Sequence, residues 1–215
     1  MGIQQLMLGV GAGKKTYLDD VFSTYVYRGD DTQGSTKNNG IDLSGEGGLV
    51  WLKSRSNGRG HLLYDTERGA TKYIESSGTS AESTASTLGV VQFNNNGFNL
   101  GSHDSANDSS HDHVSWTFRK SPMFDVVTWT GNSSTTQTIS HSLGSIPGCI
   151  FAKSTSNDQN WGVYHRGLDS GNQPETHYLL LNNNTSEVDD AGFWADTAPT
   201  ATTFVAGSYL NNDGW

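Results

Sequence analysis

Two short runs set histidine beside aspartate. His103-Asp104 and His111-Asp112-His113 flank one loop rich in Asp, Ser and Asn. Imidazole nitrogens and carboxylate oxygens are ligands that divalent cations take. The later half of the chain has no histidine in its matching loop, and Asp and Asn in turns already serve their own backbone. A divalent metal on these five residues is the one cofactor the sequence leaves open.

A second group suits sugar chemistry. Trp161, Tyr164, Trp194 and Trp215 stand near polar turns, with Arg166, Asn182, Asn183 and Asp196 close in sequence. An aromatic ring stacks on the apolar face of a sugar while amides, carboxylates and guanidinium groups take its hydroxyls. Trp161, Arg166, Asn182, Trp194 and Asp196 are therefore the residues expected to bind a glycan. The plainer alternative is that the rings are ordinary core. Tyr164 is matched by Tyr64 earlier in the chain, so it reads as part of the fold. Trp161 and Trp194 have no clear aromatic counterpart.

Other chemistries fail on spacing. Gly9-Val10-Gly11-Ala12-Gly13-Lys14-Lys15-Thr16 lacks the four residues that a phosphate loop sets between its last glycine pair. Arg28-Gly29-Asp30 could mediate adhesion, but it stands where a strand gives way to a turn, which is where Gly and Asp belong anyway. Glycoside hydrolysis needs two acids across a cleft, and the acids here sit in turn contexts such as Asp19-Asp20, Asp30-Asp31 and Asp189-Asp190. With no serine nucleophile elbow either, an enzyme is not expected.

The elements that must carry these residues are strands. Only 16% of the 215 residues are charged, and 26 are glycine. A chain rich in Gly, Ser, Thr, Asn and Asp disfavours long helices and favours short strands between polar turns. The net charge of −9 excludes a phosphate-neutralising surface, so neither nucleic acid nor an anionic membrane is an expected partner. No apolar run approaches the ~18 residues of a membrane span, and no membrane insertion is expected. The start, Met1 to Leu8, lacks the basic and long apolar regions of a signal peptide, so synthesis in the cytoplasm is expected. The single cysteine, Cys149, lies in an apolar run and reads as a buried, inert thiol.

The chain also repeats itself at an offset of about 100 residues. Leu49-Val50-Trp51-Leu52-Lys53-Ser54 returns as Cys149-Ile150-Phe151-Ala152-Lys153-Ser154. Tyr64 returns as Tyr164, and Arg68-Gly69 as Arg166-Gly167. Gly97 to Ser102 returns as Thr203 to Ser208. A period this long has the size of a small domain rather than of a solenoid unit. The expected fold is all-β: an N-terminal arm (1–20) and two tandem antiparallel β-sandwich repeats of jelly-roll, lectin-like type (21–121 and 122–215). Strands are expected at Ser23–Arg28, Leu49–Ser54, His61–Asp65, Lys72–Glu75, Val90–Phe93, Gly97–Gly101 and His113–Arg119 of the first copy. Ser76 to Thr87 is expected to be a loop with a helical turn. The second copy opens at Phe124 to Trp129 and reaches its Asn-Asn-Asp-Gly loop at Asn211, where the first copy would go on to Val114-Trp116-Phe118. The second sandwich is thus expected to lack its last strand: either the natural protein continues, or a partner chain supplies the strand, and the edge near Trp215 is expected to be open or completed by another chain. Trp51/Phe151, Lys53/Lys153 and Tyr64/Tyr164 are expected to hold the fold.

Several segments carry a resemblance. Tyr25-Val26-Tyr27-Arg28-Gly29, Asn39 to Lys53, Tyr64 to Lys72, Val114 to Lys120, Phe124 to Gly131, His141 to Gly148, Trp161 to Gly167 and Trp194 to Thr200 resemble virion proteins of marine tailed phages (cyanophage- and pelagiphage-like), of the tail-fibre or tail-associated kind with lectin-like β-sandwich repeats. The likeness covers nearly the whole chain. It implies a virion location, other virion proteins as partners, a homo-oligomer, and a bacterial surface polysaccharide as ligand. It transfers no catalytic residue. The expected function is a non-enzymatic host-surface adhesin. A purely structural decoration or adaptor protein, and a polysaccharide-degrading enzyme on the same sandwich, are the alternatives.

Overall fold

A computed structural model describes residues 16–102 and 104–212, with the backbone alone for Asp104. One helical turn, α1 (Leu18–Val21), leads into β1 (Phe22–Arg28). Then follow β2 (Ser35–Asn38), the turn α2 (Leu43–Glu46), β3 (Gly48–Ser54), β4 (Leu62–Asp65), β5 (Lys72–Glu75) and β6 (Ser83–Thr84). The first copy closes with β7 (Val90–Asn94), β8 (Gly97–Leu100), α3 (Asp104–Asn107) and β9 (Asp112–Arg119). The second copy holds β10 (Gln137–Ser140), β11 (Cys149–Ala152), β12 (Gly162–His165), β13 (His177–Leu180), β14 (Val188–Asp189) and β15 (Thr203–Ala206). All pairings are antiparallel, and the protein is all-β.

In the first copy, a sheet ordered β1-β9-β3-β4-β5-β6 faces one ordered β2-β8-β7. Val50, Leu52, Leu62 and Tyr64 of the larger sheet meet Val90, Phe98 and Leu100 of the smaller in one buried cluster. Alternation produces this: β3 buries every second residue, so one face of the pleat enters the core. The second copy sets β11-β12-β13-β14 against β10-β15, and Ala152, Tyr164, Ile139 and Phe204 share its core. The registers correspond. Leu49↔Asp65 to Leu52↔Leu62 is matched by Cys149↔His165 to Ala152↔Gly162. Lys37↔Phe98 is matched by Ile139↔Phe204.

Two of the three expected fold-holding pairs keep that role. Tyr64 and Tyr164 are both buried. Lys53 donates to the carbonyls of Asn57 and Arg59, and Lys153 to those of Ser154 and Asn157, so each lysine ties down the loop after its strand. Burial pushes the Lys153 ammonium down to about 8, against the pull of Asp158. The third pair splits. Trp51 packs edge-on against Trp116 of β9 at 6.1 Å, whereas Phe151 is 47% exposed. No described strand flanks β11 where β9 flanks β3. Cys149 is exposed for the same reason, which corrects the expectation of a buried thiol.

Three local differences from the sequence reading stand out. β2 (Ser35–Asn38) falls between the expected strands Ser23–Arg28 and Leu49–Ser54, where no strand is expected. Ser76 to Thr87 holds the short strand β6 and no helical turn. Residues 124–130 belong to no strand, although their counterparts form β1. Trp215 lies outside the described residues.

The copies place glycine at different points of this core. Leu62 on β4 is buried in the first copy, and Gly162 stands in its place in the second. A Cβ on Gly162 would fall 2.2 Å from the Phe193 ring. Phe193 in turn stands where the first copy has Gly89: the Gly89 carbonyl accepts from the Gly101 N–H, and that of Phe193 from the Gly207 N–H. A Cβ on Gly89 would run into the Tyr64 hydroxyl. Each copy thus sets a glycine against a ring of its own core, Gly89 against Tyr64 and Gly162 against Phe193.

Candidate functional site

The loops that join the copies bring the second against the outer face of the larger first sheet. Trp161, which leads into β12, is 6% exposed. It packs with Leu63 and Ile74, and with Leu49, Trp51 and Leu181 at the margin. Its indole N–H donates to the Glu75 carbonyl at 2.9 Å. Three further bonds cross between the copies: Glu82 N–H to Thr155 O, Gln159 N–H to Thr79 O, and Ala81 N–H to the Asp158 carboxylate, each 2.9 Å. Trp161 is therefore the anchor of the inter-copy contact. Its ring has no free face for a sugar, which corrects the stacking role expected of it.

Above this anchor lies an open polar groove of about 560 Å³, lined by Ser77 of the first copy and Leu181, Asn182, Asn183 and Asn184 of the second. Ser77 and Asn182 are structural counterparts. The Ser77 hydroxyl accepts from the His61 backbone N–H at 3.4 Å, and Asn182 Oδ1 accepts from the Trp161 backbone N–H at 2.9 Å. The Asn182 amide in turn donates to Asn160 Oδ1 at 2.8 Å. Asn183 Oδ1 receives both the N–H and the hydroxyl of Thr185. Such a surface offers amides and a hydroxyl, the donors and acceptors that match sugar hydroxyls. Its lining residues include no acid pair and no nucleophile–base pair.

Of the five expected glycan residues, the structure joins only Trp161 and Asn182. Arg166 is exposed at the opposite end of β12, its N–H bonded to Gly148 O. Trp194 is 2% exposed in the second core, edge-on to Tyr164 at 6.0 Å and close to Phe204. It fills the place that Val90 fills in the first copy, so it too is core. Asp196 is exposed in the following turn, with φ of 48°.

Arg166 also differs from its first-copy counterpart. Arg68 is largely enclosed, its side chain 9% exposed, with Nε 2.6 Å from Asp65, one amino group 3.2 Å from Glu82, and the other donating to Leu63 O at 3.0 Å. The residue opposite in the second copy is His165 rather than Asp65, so Arg166 has no such carboxylate at its strand end.

The expected metal ligands do not gather around one point. His103 and the Asp104 side chain lie outside the described residues. His111 pairs with Asp108 at 2.9 Å. Asp112 faces outward and pairs with Arg28 at 3.2 Å. His113 is fully buried, stacked on Tyr27 at 5.3 Å, with Nε2 3.3 Å from the Asp108 carbonyl. Burial pushes its imidazole down, toward the neutral form, with the Asp108 carbonyl and carboxylate opposing. Hydrogen bonds from Ser110, and then His111, hold the Asp108 carboxyl at about 2. Strand alternation explains the separation, because Asp112 must point away from its neighbours. Among the described residues no three His, Cys, Asp or Glu side chains form a metal cluster.

The Arg28-Gly29-Asp30 run is explained by a clamp that both copies use. Asn107 is fully buried, and its amide donates to Asp30, Thr32 O and Gly101 O. Asn211 is buried likewise and donates to Asn132 and Ser134 O. A Cβ on Gly29 would meet Asp108 O at 2.0 Å, and one on Gly131 would meet Asn212 O at 2.2 Å. Close approach of backbones requires glycine at both places. The sequence carried a signal for this clamp, the recurrence of Gly-Asp/Asn in Gly29-Asp30 and Gly131-Asn132 with Asn107 and Asn211 downstream.

Residues 18–214 match the family model described as a domain of unknown function, DUF7483. The chain belongs to the DUF7483 family. One match spans both copies. No curated protein and no solved structure matched the chain. No helix among the described residues of this DUF7483 chain is long and apolar enough to cross a membrane.

Proposed function

We propose that this DUF7483 chain is a non-enzymatic adhesin of a phage virion, and that it binds bacterial surface polysaccharide through the groove between its copies. The observation that carries the reading is the lining of that groove: Ser77 and Asn182–Asn184 present a hydroxyl and amides on a rigid, Trp161-anchored base. The resemblance to marine tailed-phage virion proteins supplies the setting. A homo-oligomer on the virion would multiply weak sites, and avidity raises binding over one site by roughly 10²–10⁴. The lectin-like function needs no cofactor and no bond cleavage.

The test is binding to host cells and to their purified polysaccharide, with wild type and with Asn183→Ala and Asn184→Ala. Both variants should weaken binding; Asn184→Ala should leave the unfolding midpoint unchanged, because its side chain is exposed, and Asn183→Ala should lower it only slightly through loss of the Thr185 hydrogen bonds in an exposed turn. Equal binding by wild type and variants would remove the groove from the proposal. Failure of wild type to bind any host surface, or reducing-sugar release on that polysaccharide, would remove the adhesin. Among the described residues no strand pairs with the outer edge of β11, which favours a second reading, a structural virion part that works by joining to neighbours.

A further inference from the structure

We propose that His61 is an acid-sensitive latch on the inter-copy contact: its neutral imidazole holds Trp51 in that contact, and protonation frees the indole and loosens the groove above it. The part that concerns the groove rests on the function proposed above for that surface. His61 immediately precedes β4, and Trp51 lies on β3 across from Leu63. The indole Nε1 stands 2.9 Å from His61 Nδ1, and the two rings meet edge-on with centroids 5.8 Å apart. An indole nitrogen only donates. His61 Nδ1 is therefore the acceptor, and the one proton of the neutral ring sits on Nε2. A second proton has only Nδ1 to go to. It would set one N–H against another at hydrogen-bond distance.

The bond matters because of what each partner touches. Trp51 packs at the margin of the cluster that Trp161 forms with Leu63 and Ile74, beside Leu49 and Leu181. Trp116 stands edge-on to it at 6.1 Å. His61 reaches the groove through its backbone. Its N–H donates to the Ser77 hydroxyl at 3.4 Å, and its carbonyl accepts from the Ser76 N–H at 3.2 Å. One residue thus joins the Trp51 indole, the Trp161 contact and the Ser77 side of the groove. The second copy has Phe151 and Trp161 at the places of Trp51 and His61, and neither titrates.

The charges around the ring set the sign. Burial first, and the Lys53 ammonium of β3 second, push the His61 imidazole down, toward the neutral form. Lys53 is fixed nearby by the carbonyls of Asn57 and Arg59. Arg59 is a second cation of the same loop. Glu75 of β5 is the neighbouring acid, its carboxylate beside Gly60. From the second copy comes Asp158, which is bonded to the Ala81 N–H. A depressed imidazole contributes stability that is present above its unfolded value and lost as pH falls through the folded one. Acid therefore opens the contact.

The experiment uses the full chain. Nitrogen NMR at about pH 7.5, above the ordinary imidazole range, should show His61 Nδ1 without a proton and Nε2 carrying one. As pH falls from about 7.5 to about 5, opening at the Trp161 indole N–H, read by hydrogen exchange after correction for the intrinsic rate, should rise about threefold or more. His61→Asn sets a non-titrating amide oxygen near the place of Nδ1, and its opening should stay flat. Polysaccharide binding should fall about threefold or more over the same range in wild type, and hold in His61→Asn. A proton on Nδ1 at neutral pH, opening in wild type that ignores pH, an equal rise in His61→Asn, or binding that is unchanged while opening grows would each overturn the proposal. Absence of polysaccharide binding at every pH would overturn the regulation of the groove together with the adhesin, and the latch on the contact would then stand or fall by the nitrogen and exchange data.

Discussion

Replacing Arg68 with alanine should cost far more than the same change at Arg166, its sequence counterpart. The Arg68 and Asp65 side chains are 9% and 6% exposed, and Glu82 is 16% exposed. Removing the guanidinium leaves the Asp65 carboxylate in the interior with the backbone N–H of residue 68 but no counter-charge, and Glu82 keeps Lys72 at 3.5 Å. Breaking a buried pair from one side costs about 3–5 kcal/mol. For a chain of this length each kcal/mol moves the midpoint by about 2–4 °C, so a fall of roughly 6–20 °C is expected. Arg68→Lys should recover only part of this, because one ammonium does not reproduce the three directions in which Nε and both amino groups reach. Arg166 is exposed and fixed through its backbone, so Arg166→Ala should stay within about 0.5 kcal/mol of wild type. Urea unfolding followed by tryptophan fluorescence, together with calorimetry, measures both variants on one scale. An Arg68→Ala loss under about 1 kcal/mol, or equal losses at the two sites, would refute the claim that the buried triad distinguishes the copies.

Two further outcomes follow from the core and the clamp. Gly162→Ala places a methyl 2.2 Å from the Phe193 ring and should destabilise by about 1–3 kcal/mol through overpacking, read as a lower urea midpoint; Gly162→Ala combined with Phe193→Leu should recover part of the loss. Hydrogen bonds from Ser35, Thr32, Asn107 and Lys37 outweigh desolvation and hold Asp30 well below the usual carboxylate range. A depressed folded pKa means stability that is present above the unfolded value and lost as pH falls, so the stability gap between wild type and Asp30→Asn should shrink between about pH 5 and about pH 2; a gap that stays constant over that range would count against the clamp's charge.

The strands were largely legible because alternation and β-branched or aromatic content mark them directly. Lys72–Glu75 stands at the residues expected, and β3, β4, β7, β8 and β9 begin and end within a residue or so of their sequence ranges. β2 was not legible, since Ser35-Thr36-Lys37-Asn38 is polar and earns its place through pairing with β8 and the burial of Lys37 against Asp30 and the Tyr27 ring. The candidate glycan residues were read from type, and type does not report burial. Trp161 and Trp194 lacked aromatic counterparts because they replace His61 and Val90 in equivalent positions, one at the inter-copy contact and one in the core. Their divergence marked packing between and within the copies rather than a ligand. The groove itself depends on Ser77 meeting Asn182–Asn184 across the two copies, a juxtaposition separated by about 100 residues and set by how the copies dock.

The Gly162–Phe193 contact, with Leu62 and Gly89 at the corresponding places of the first copy, bears on how the chain reaches its fold. Two similar sandwiches in tandem are prone to exchange strands while they fold, and such misassembly is a characteristic failure of repeat proteins. Here a hybrid core that combined β4 with the Phe193 segment would crowd Leu62 against an aromatic ring. The reciprocal hybrid would put Gly162 in the place of Leu62 with no Phe193 ring to cover it, and leave a hole. Each wrong partnership is penalised and each right one is complementary, so this pair of positions sorts the two halves of the nascent chain into their own cores.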